Sequence, residues 1–302
     1  MNSELDPARR TAGVIAALCA VLIWAGWLPI TRLGVVTGLT PGDVAALRYG
    51  TSGLVLLPLL LMHLKDLPWR RLAPLAIAAI GAGVPYFIVF ATGLRLANSG
   101  QGAVLGPGAS GLFTVLIARG VLGERLRRAQ WAGLAITAAG IALVVLHDVA
   151  GGGARIGGFL MVLVASLAWA GFTIASRSLR LKPVLLAGFI AVANALLYLP
   201  FYVASGGLER LRAVSPHDIA LQVLYQGVLT GVVALTAFAF AVARLGAAGA
   251  ASFTPLSPVL IALFGWLLLG DTVDAATAAG LAAVAAGVLV ANRGVRRATA
   301  PR

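Results

Sequence analysis

Residues 122–143 read LGERLRRAQWAGLAITAAGIAL, and residues 269–290 read LGDTVDAATAAGLAAVAAGVLV. A constant offset of 147 pairs Gly123 with Gly270, Glu124 with Asp271, Gly133 with Gly280 and Gly140 with Gly287. Leu122, Ala129, Ala132 and Leu134 also meet identical residues. Alanine-rich segments match by chance more easily than average, but a registered glycine-acid step followed by two spaced glycines is a stricter signal. The stretch points to an internal duplication, and a duplication fixes architecture before local propensity does.

The 302 residues are 60% hydrophobic and only 11% charged. A soluble domain averages about 25% charged residues, so there is too little polar surface here to cover a water-soluble globule. Apolar runs fall at 12–31, 43–62, 72–94, 99–119, 129–147, 157–176, 184–204, 219–242, 248–269 and 274–291. Each is about the length a helix needs to cross ~30 Å of hydrocarbon. The expected fold is an all-α polytopic membrane protein with ten transmembrane helices, whose surroundings are the lipid bilayer. The net charge of +13 does not imply a nucleic-acid partner, because the cations sit between apolar runs and form no stripe. The single cysteine, Cys19, rules out an internal disulfide and any Cys-rich metal site. With the N-terminus inside, 17 of the 23 Lys and Arg residues fall on inside segments. That bias predicts a plasma (inner) membrane protein with both termini cytoplasmic.

Residues 1–150 and 151–302 then hold five spans each, an odd number, so the two halves insert with opposite orientation. Other landmarks repeat. Trp24-Ala25-Gly26 matches Trp169-Ala170-Gly171, Arg32 matches Arg177, and Leu57-Pro58 matches Leu199-Pro200. Inverted repeats are a recurring plan of secondary transporters, giving two pseudo-equivalent conformations open to opposite sides.

WAG in the first span, AALRYG at residues 45–50, and LGERL followed by Gln130, Gly133 and Gly140 together resemble the EamA family of the drug/metabolite transporter superfamily. The second half carries LAWAGF, PLSPVLIALFGWLLLGD and AGLAAVAAG in the same order. The resemblance spans nearly the whole chain and implies ten helices, an inward N-terminus and export of small metabolites. Two departures stand out. The family's proline before the glycine-acid step matches Pro258, but the first half has Gly111 there, with Pro107 four residues earlier. Asp271 replaces the usual Glu.

All ten acidic residues fall in loops or at span ends. A proton relay normally uses an ionisable group inside a span, so facilitated export or exchange fits at least as well as proton antiport. Zincin, P-loop and Ser-x-x-Lys motifs are absent. The sequence therefore offers no catalytic residue, cofactor site or metal site, and the expectation is that the chain is not an enzyme.

Trp24, Trp27 and Thr31 lie on one helical face, and Trp169, Phe172 and Ser176 repeat them at an offset of 145. The two stripes either flank one central cavity or pack helices together. In the eighth run Gln222, Tyr225, Gln226 and Thr230 share a face, either binding polar parts of a substrate or joining helices. Tyr86, after Gly83-Val84-Pro85, is the weaker counterpart in the third run. Gln101 lies with Asn98 near the outer mouth, where helix-start bonding is the simpler reading. Asn194 reads as helix glue. Pro255 and Pro258, with Thr254 and Ser257, form a gate or a static kink. Glu124 and Asp271 fall at opposite faces and are mainly helix punctuation, with a salt-bridge gate as a second use. Glycines at helical spacing serve close helix packing or a homodimer interface.

These readings combine into an exporter of small organic metabolites, with amino acids and amphipathic amines as candidate small-molecule substrates. An exchanger of anionic phosphorylated metabolites ranks below it, because Arg48, Arg95 and Arg119 read as lying near span ends. A membrane enzyme or a non-transporting scaffold is the alternative of a different class.

Overall fold

A computed structural model of the chain describes residues 7–253 and 256–296. Thr254, Pro255 and the two chain ends therefore lie outside the described residues. The described part is helical, without strands. Its main elements are α1 (Pro7–Thr37), α2 (Pro41–Met62), α3 (Leu72–Leu96), α4 (Ser99–Leu122), α5 (Arg128–Ala150), α6 (Ile156–Leu179), α7 (Pro183–Ala204), α8 (Pro216–Gly246), α9 (Ser257–Leu269) and α10 (Ala275–Arg296). The first eight are long and apolar enough to cross a membrane. The apolar part of α10, Ala275–Ala291, and α9 are shorter. These ten main segments fall in the ten apolar runs, but α9 covers only Ser257–Leu269 of the run expected at 248–269, and length and composition support eight as full spans.

Local sequence explains where the helices begin and end. Thr40 Oγ1 accepts the Asp43 amide at 3.1 Å, Asp43 Oδ2 accepts the Thr40 amide at 2.7 Å, and Pro41 takes the first helical position of α2. Gly123 and Gly270 end α4 and α9 in the left-handed region, at φ 68° and 66°. After each, the acidic residue's amide bonds back six residues, Glu124 to Ala118 at 3.4 Å and Asp271 to Gly265 at 3.2 Å. The duplicated step is thus one helix-ending motif built twice.

Helix pairing follows the repeat. The α1 helix packs on α8 and α9, α6 on α3 and α4, α2 on α7, and α5 on α10. Exchanging each helix for its equivalent five places away maps these pairs onto one another, as a five-helix repeat predicts, whereas the α2–α8 contact has only a slight counterpart between α7 and α3. The glycine stripes make the α5–α10 contact. A Cβ on Gly287 would lie 2.2 Å from Thr137 Oγ1, and one on Gly133 would lie 2.4 Å from the Gly287 carbonyl oxygen. Gly140 and Gly280 face each other in the same way. These four glycines are therefore spent inside the chain. Gly227 and Gly231 are spent similarly, against Thr51 and Ser52 of α2.

Three helices are irregular at mid-depth. In α3 the regular helix stops at Gly81 and resumes at Val84. In α4 a π-helical turn covers Val104–Gly108 around Pro107. In α8 a π-helical segment runs over Val223–Val233. Irregular backbone at membrane depth is tolerated where protein or a cavity satisfies it, and here side chains do so. Asn194 of α7 accepts the Val84 amide at 2.8 Å and donates to the Ala79 carbonyl at 3.0 Å, bridging the break in α3. Tyr49 donates to the Ala82 carbonyl at 2.7 Å. Ser166 Oγ lies 2.9 and 3.1 Å from the Leu105 and Gly106 carbonyls beside Pro107.

Candidate functional site

The irregular segments surround a cavity of about 710 Å³. Every helix except α5 contributes to its wall. The lining begins near mid-depth, at Arg48, Phe90 and Gln226, and runs to Arg177, Leu181, Pro183 and Ser257. These last four mark the ends of α6, α7 and α9 on the face where α1 begins. No lining residue comes from the helix ends on the opposite face. The cavity is therefore blind at one end and extends towards the other.

One wall is a continuous aromatic strip. Phe172 meets Trp169 at 4.9 Å between ring centroids, Trp169 meets Tyr86 at 5.2 Å, Tyr86 meets Phe90 at 5.7 Å, and Phe90 stacks on Trp27 at 5.1 Å. The two repeat-related stripes on α1 and α6 are thus joined through α3. Trp24 also lines the cavity and packs on Phe238 at 5.2 Å. Such ring pairs add packing energy beyond their buried area.

Polar groups gather at the blind end. Arg48 Nη1 donates to Gln226 Oε1 at 2.9 Å, and its guanidinium carbon lies 5.5 Å from the centroid of Trp27. Gln226 Nε2 donates to Thr31 Oγ1 at 2.8 Å and to Gln222 Oε1 at 3.2 Å. Gln222 in turn donates to the Ile30 carbonyl at 2.8 Å. Trp27 Nε1 is buried without a partner among the described residues.

Of the residues singled out in the sequence, Trp24, Trp27, Tyr86, Trp169, Phe172, Gln226 and Pro258 line this cavity. Pro255 falls outside the described residues. Gln101 does not line it. Its side chain closes a capping box with Asn98, accepting the Asn98 amide at 3.1 Å, at the start of α4. Tyr225 does not line it either. Its hydroxyl donates to the Ile23 carbonyl at 3.0 Å, and it packs where Gly26 leaves room. Arg48 is the residue that the sequence reading undervalued. It lies two turns inside α2, roughly 10 Å from the helix start. A hydropathy run does not reveal that depth, and the signal available was its place in AALRYG, beside the aromatic Tyr49.

The two repeat-related cations pair with the two repeat-related acids. Arg32 and Asp271 form an ion pair at 2.7 Å on the blind side, with the Asp271 side chain 7% exposed. Arg32 Nε also bonds the Leu94 and Ala97 carbonyls at 3.1 and 2.8 Å, capping the end of α3. Asp271 Oδ2 takes the Ser99 amide at 2.8 Å. On the open side, Arg177 and Glu124 stand 3.5 Å apart with both side chains about half exposed. One pair is thus locked into three helix ends and the other is loose.

The EamA-like transporter family model matches the chain twice, over residues 11–146 and 156–293. Over 273 residues the chain is 27% identical to the uncharacterized inner membrane transporter YedA of Escherichia coli, covering 88% of this chain and 86% of the relative. A probable terminal-alkyne amino-acid exporter of Streptantibioticus cattleyicolor is 28% identical over 298 residues, covering 94% of this chain and 95% of the relative. A solved crystal structure shares the fold at a TM-score of 0.59 and 24% identity, covering 97% of this chain and 99% of its own. Hydropathy, the inverted helix pairing and the double family match agree: this multi-pass membrane chain belongs to the EamA-like transporter family.

Proposed function

We propose that the chain is an inner-membrane secondary transporter that exports small organic metabolites by alternating access. One observation carries this reading. The cavity is blind on the side where Arg32 and Asp271 are locked, and it runs towards the side where their repeat equivalents are loose. An inverted repeat has a second conformation in which these roles exchange. The excess of cations on that side's segments supports taking the loose side as cytoplasmic, with the cavity loading from the cytoplasm and releasing outward. The aromatic strip suits organic molecules with apolar or ring-bearing parts. Amino acids fit the cavity better than amphipathic amines, because among the described residues no acidic one lines it. Exchange of phosphorylated metabolites is the second reading, favoured by Arg48 and Arg177 on the wall and opposed by the pairing of Arg177 with Glu124.

Counterflow in proteoliposomes tests the carrier. Vesicles preloaded with unlabelled amino acids, amines or phosphorylated metabolites are given the same compound in labelled form, beside a Trp169→Ala variant. Saturable uptake of one class, lowered in the variant, is the expected result. No uptake of any compound by folded protein counts against transport of these classes.

A further inference from the structure

We propose that Arg48 anchors the carboxylate of the transported molecule. The substrate class becomes small organic monocarboxylates with an apolar or aromatic remainder, zwitterionic amino acids included. The proposal rests on the carrier reading above and deepens it.

A guanidinium carries five N–H donors, and Arg48 gives one to Gln226. No carboxylate among the described residues lies within ion-pair distance of it. Gln226 cannot supply that charge, and its orientation is fixed. Its amide nitrogen is spent on Thr31 and Gln222, and the Thr31 hydroxyl proton is spent on the Trp27 carbonyl at 2.7 Å. The Gln226 oxygen therefore faces Arg48, positioning the guanidinium without neutralising it. The rings of Trp27, Tyr49 and Phe87, each 5.5–5.6 Å from the guanidinium carbon, hold it from the other directions.

The fold does not require a cation at this depth. At the offset of 142 that aligns Leu57-Pro58 with Leu199-Pro200, the equivalent of Arg48 is Ile190. Ile190 also lines the cavity, and α7 packs normally around it. An unpaired charge at membrane depth is costly, and such residues mark substrate pathways. Arg48 and Arg177 are the charged residues on the wall, and Arg177 sits at the mouth opposite Glu124. The blind end thus offers one uncompensated positive charge in fork geometry, which matches a single carboxylate. An amine without a carboxylate meets repulsion from that charge. A phosphate dianion finds a single cation there against its two charges. Trp27, beside the guanidinium, and Phe90, stacked on Trp27, receive the apolar remainder.

The test uses the full chain in liposomes, with quenching of tryptophan fluorescence as the readout, since Trp27 and Trp169 lie in the wall. The probes are 3-phenylpropionate, L-phenylalanine, phenethylamine and phenyl phosphate, which share a ring and differ in charge. Both carboxylates are expected to bind at least about tenfold more tightly than the other two. Arg48→Gln is expected to lose that preference while remaining folded, and Arg48→Lys to keep part of it. If Arg48→Gln does not fold, the order of the four probes on the wild type decides alone. Tighter binding of phenethylamine or phenyl phosphate, no binding of either carboxylate, or an indifferent Arg48→Gln each overturns the anchor. Counterflow in the same vesicles separates the two readings. Flux indifferent to Arg48 sinks the anchor and keeps the carrier, whereas Arg48-dependent binding without flux does the reverse.

Discussion

Asn194 shows how much one side chain settles in this fold. The Gly83 break strips α3 of part of its own ladder, and the Asn194 amide replaces it from α7 with an acceptor for Val84 and a donor for Ala79. Asn194→Leu fills the same space and leaves the Val84 amide and the Ala79 carbonyl without a partner inside protein. We expect a loss of about 1–3 kcal/mol, read as a lower melting temperature in detergent. The helix-glue reading of Asn194 needed only an uncharged polar residue in an apolar run. The same logic could not tell Gln226 from Tyr225, because both lie on one polar face. Only the packed structure shows that Gly26 receives the Tyr225 ring while Gln226 turns to Arg48. Tyr225→Phe is therefore expected to leave counterflow near wild type and to lower stability by about 1 kcal/mol. Trp169→Ala is expected to lower flux. Equal loss of flux in both variants would place Tyr225 in the transport path.

Among elements, α5 and α10 have the pairing most directly written in sequence. Their glycines align because the repeat aligns them, and the contact they build has no room for a methyl group. Gly287→Ala puts a Cβ at 2.2 Å from Thr137 Oγ1 and 2.6 Å from the Gly133 carbonyl oxygen. Overpacking of this kind costs roughly 1–3 kcal/mol. Gly111→Ala is the control, since nothing lies within 4 Å of its added Cβ. It is expected to be neutral or to stabilise α4 by a few tenths of a kcal/mol, on the order of the helix preference of alanine. A melting series of the two variants checks both signs. The irregular helices were less legible. Pro107 and the Gly81 to Pro85 stretch announce disturbed backbone, but the π-helical run over Val223–Val233 has no proline. Its carbonyls are carried by i–5 bonds and by Thr230, which donates to Tyr225 at 2.8 Å. Those partners all lie within α8 itself, and no residue type in the run marks the change from i–4 to i–5 bonding.

At the scale of the whole molecule, two ion pairs related by the repeat lie on opposite sides, and under the proposed alternating access they would stabilise opposite conformations. The Arg32–Asp271 pair is mostly buried and tied to the ends of α3 and α4, so removing one partner is costly. The Arg177–Glu124 pair is half exposed at 3.5 Å, where such a pair contributes only about 0–1 kcal/mol. Under the proposed alternating access, the other conformation would close Arg177 on Glu124 and release Arg32. Arg32→Gln should then shift the population towards that conformation, and Arg177→Gln away from it. A loss of about 1.4 kcal/mol from one state changes the ratio tenfold. The readout is a cysteine at Ala97, buried on the blind side, introduced in a Cys19→Ser background because Cys19 is exposed. Labelling by a membrane-impermeant maleimide from the blind side should quicken several-fold in Arg32→Gln and slow in Arg177→Gln. Both variants should lower counterflow, because a carrier must visit both states in each cycle. Labelling that moves in the same direction in the two variants would mean that the pairs hold helix ends together and do not set the balance between conformations.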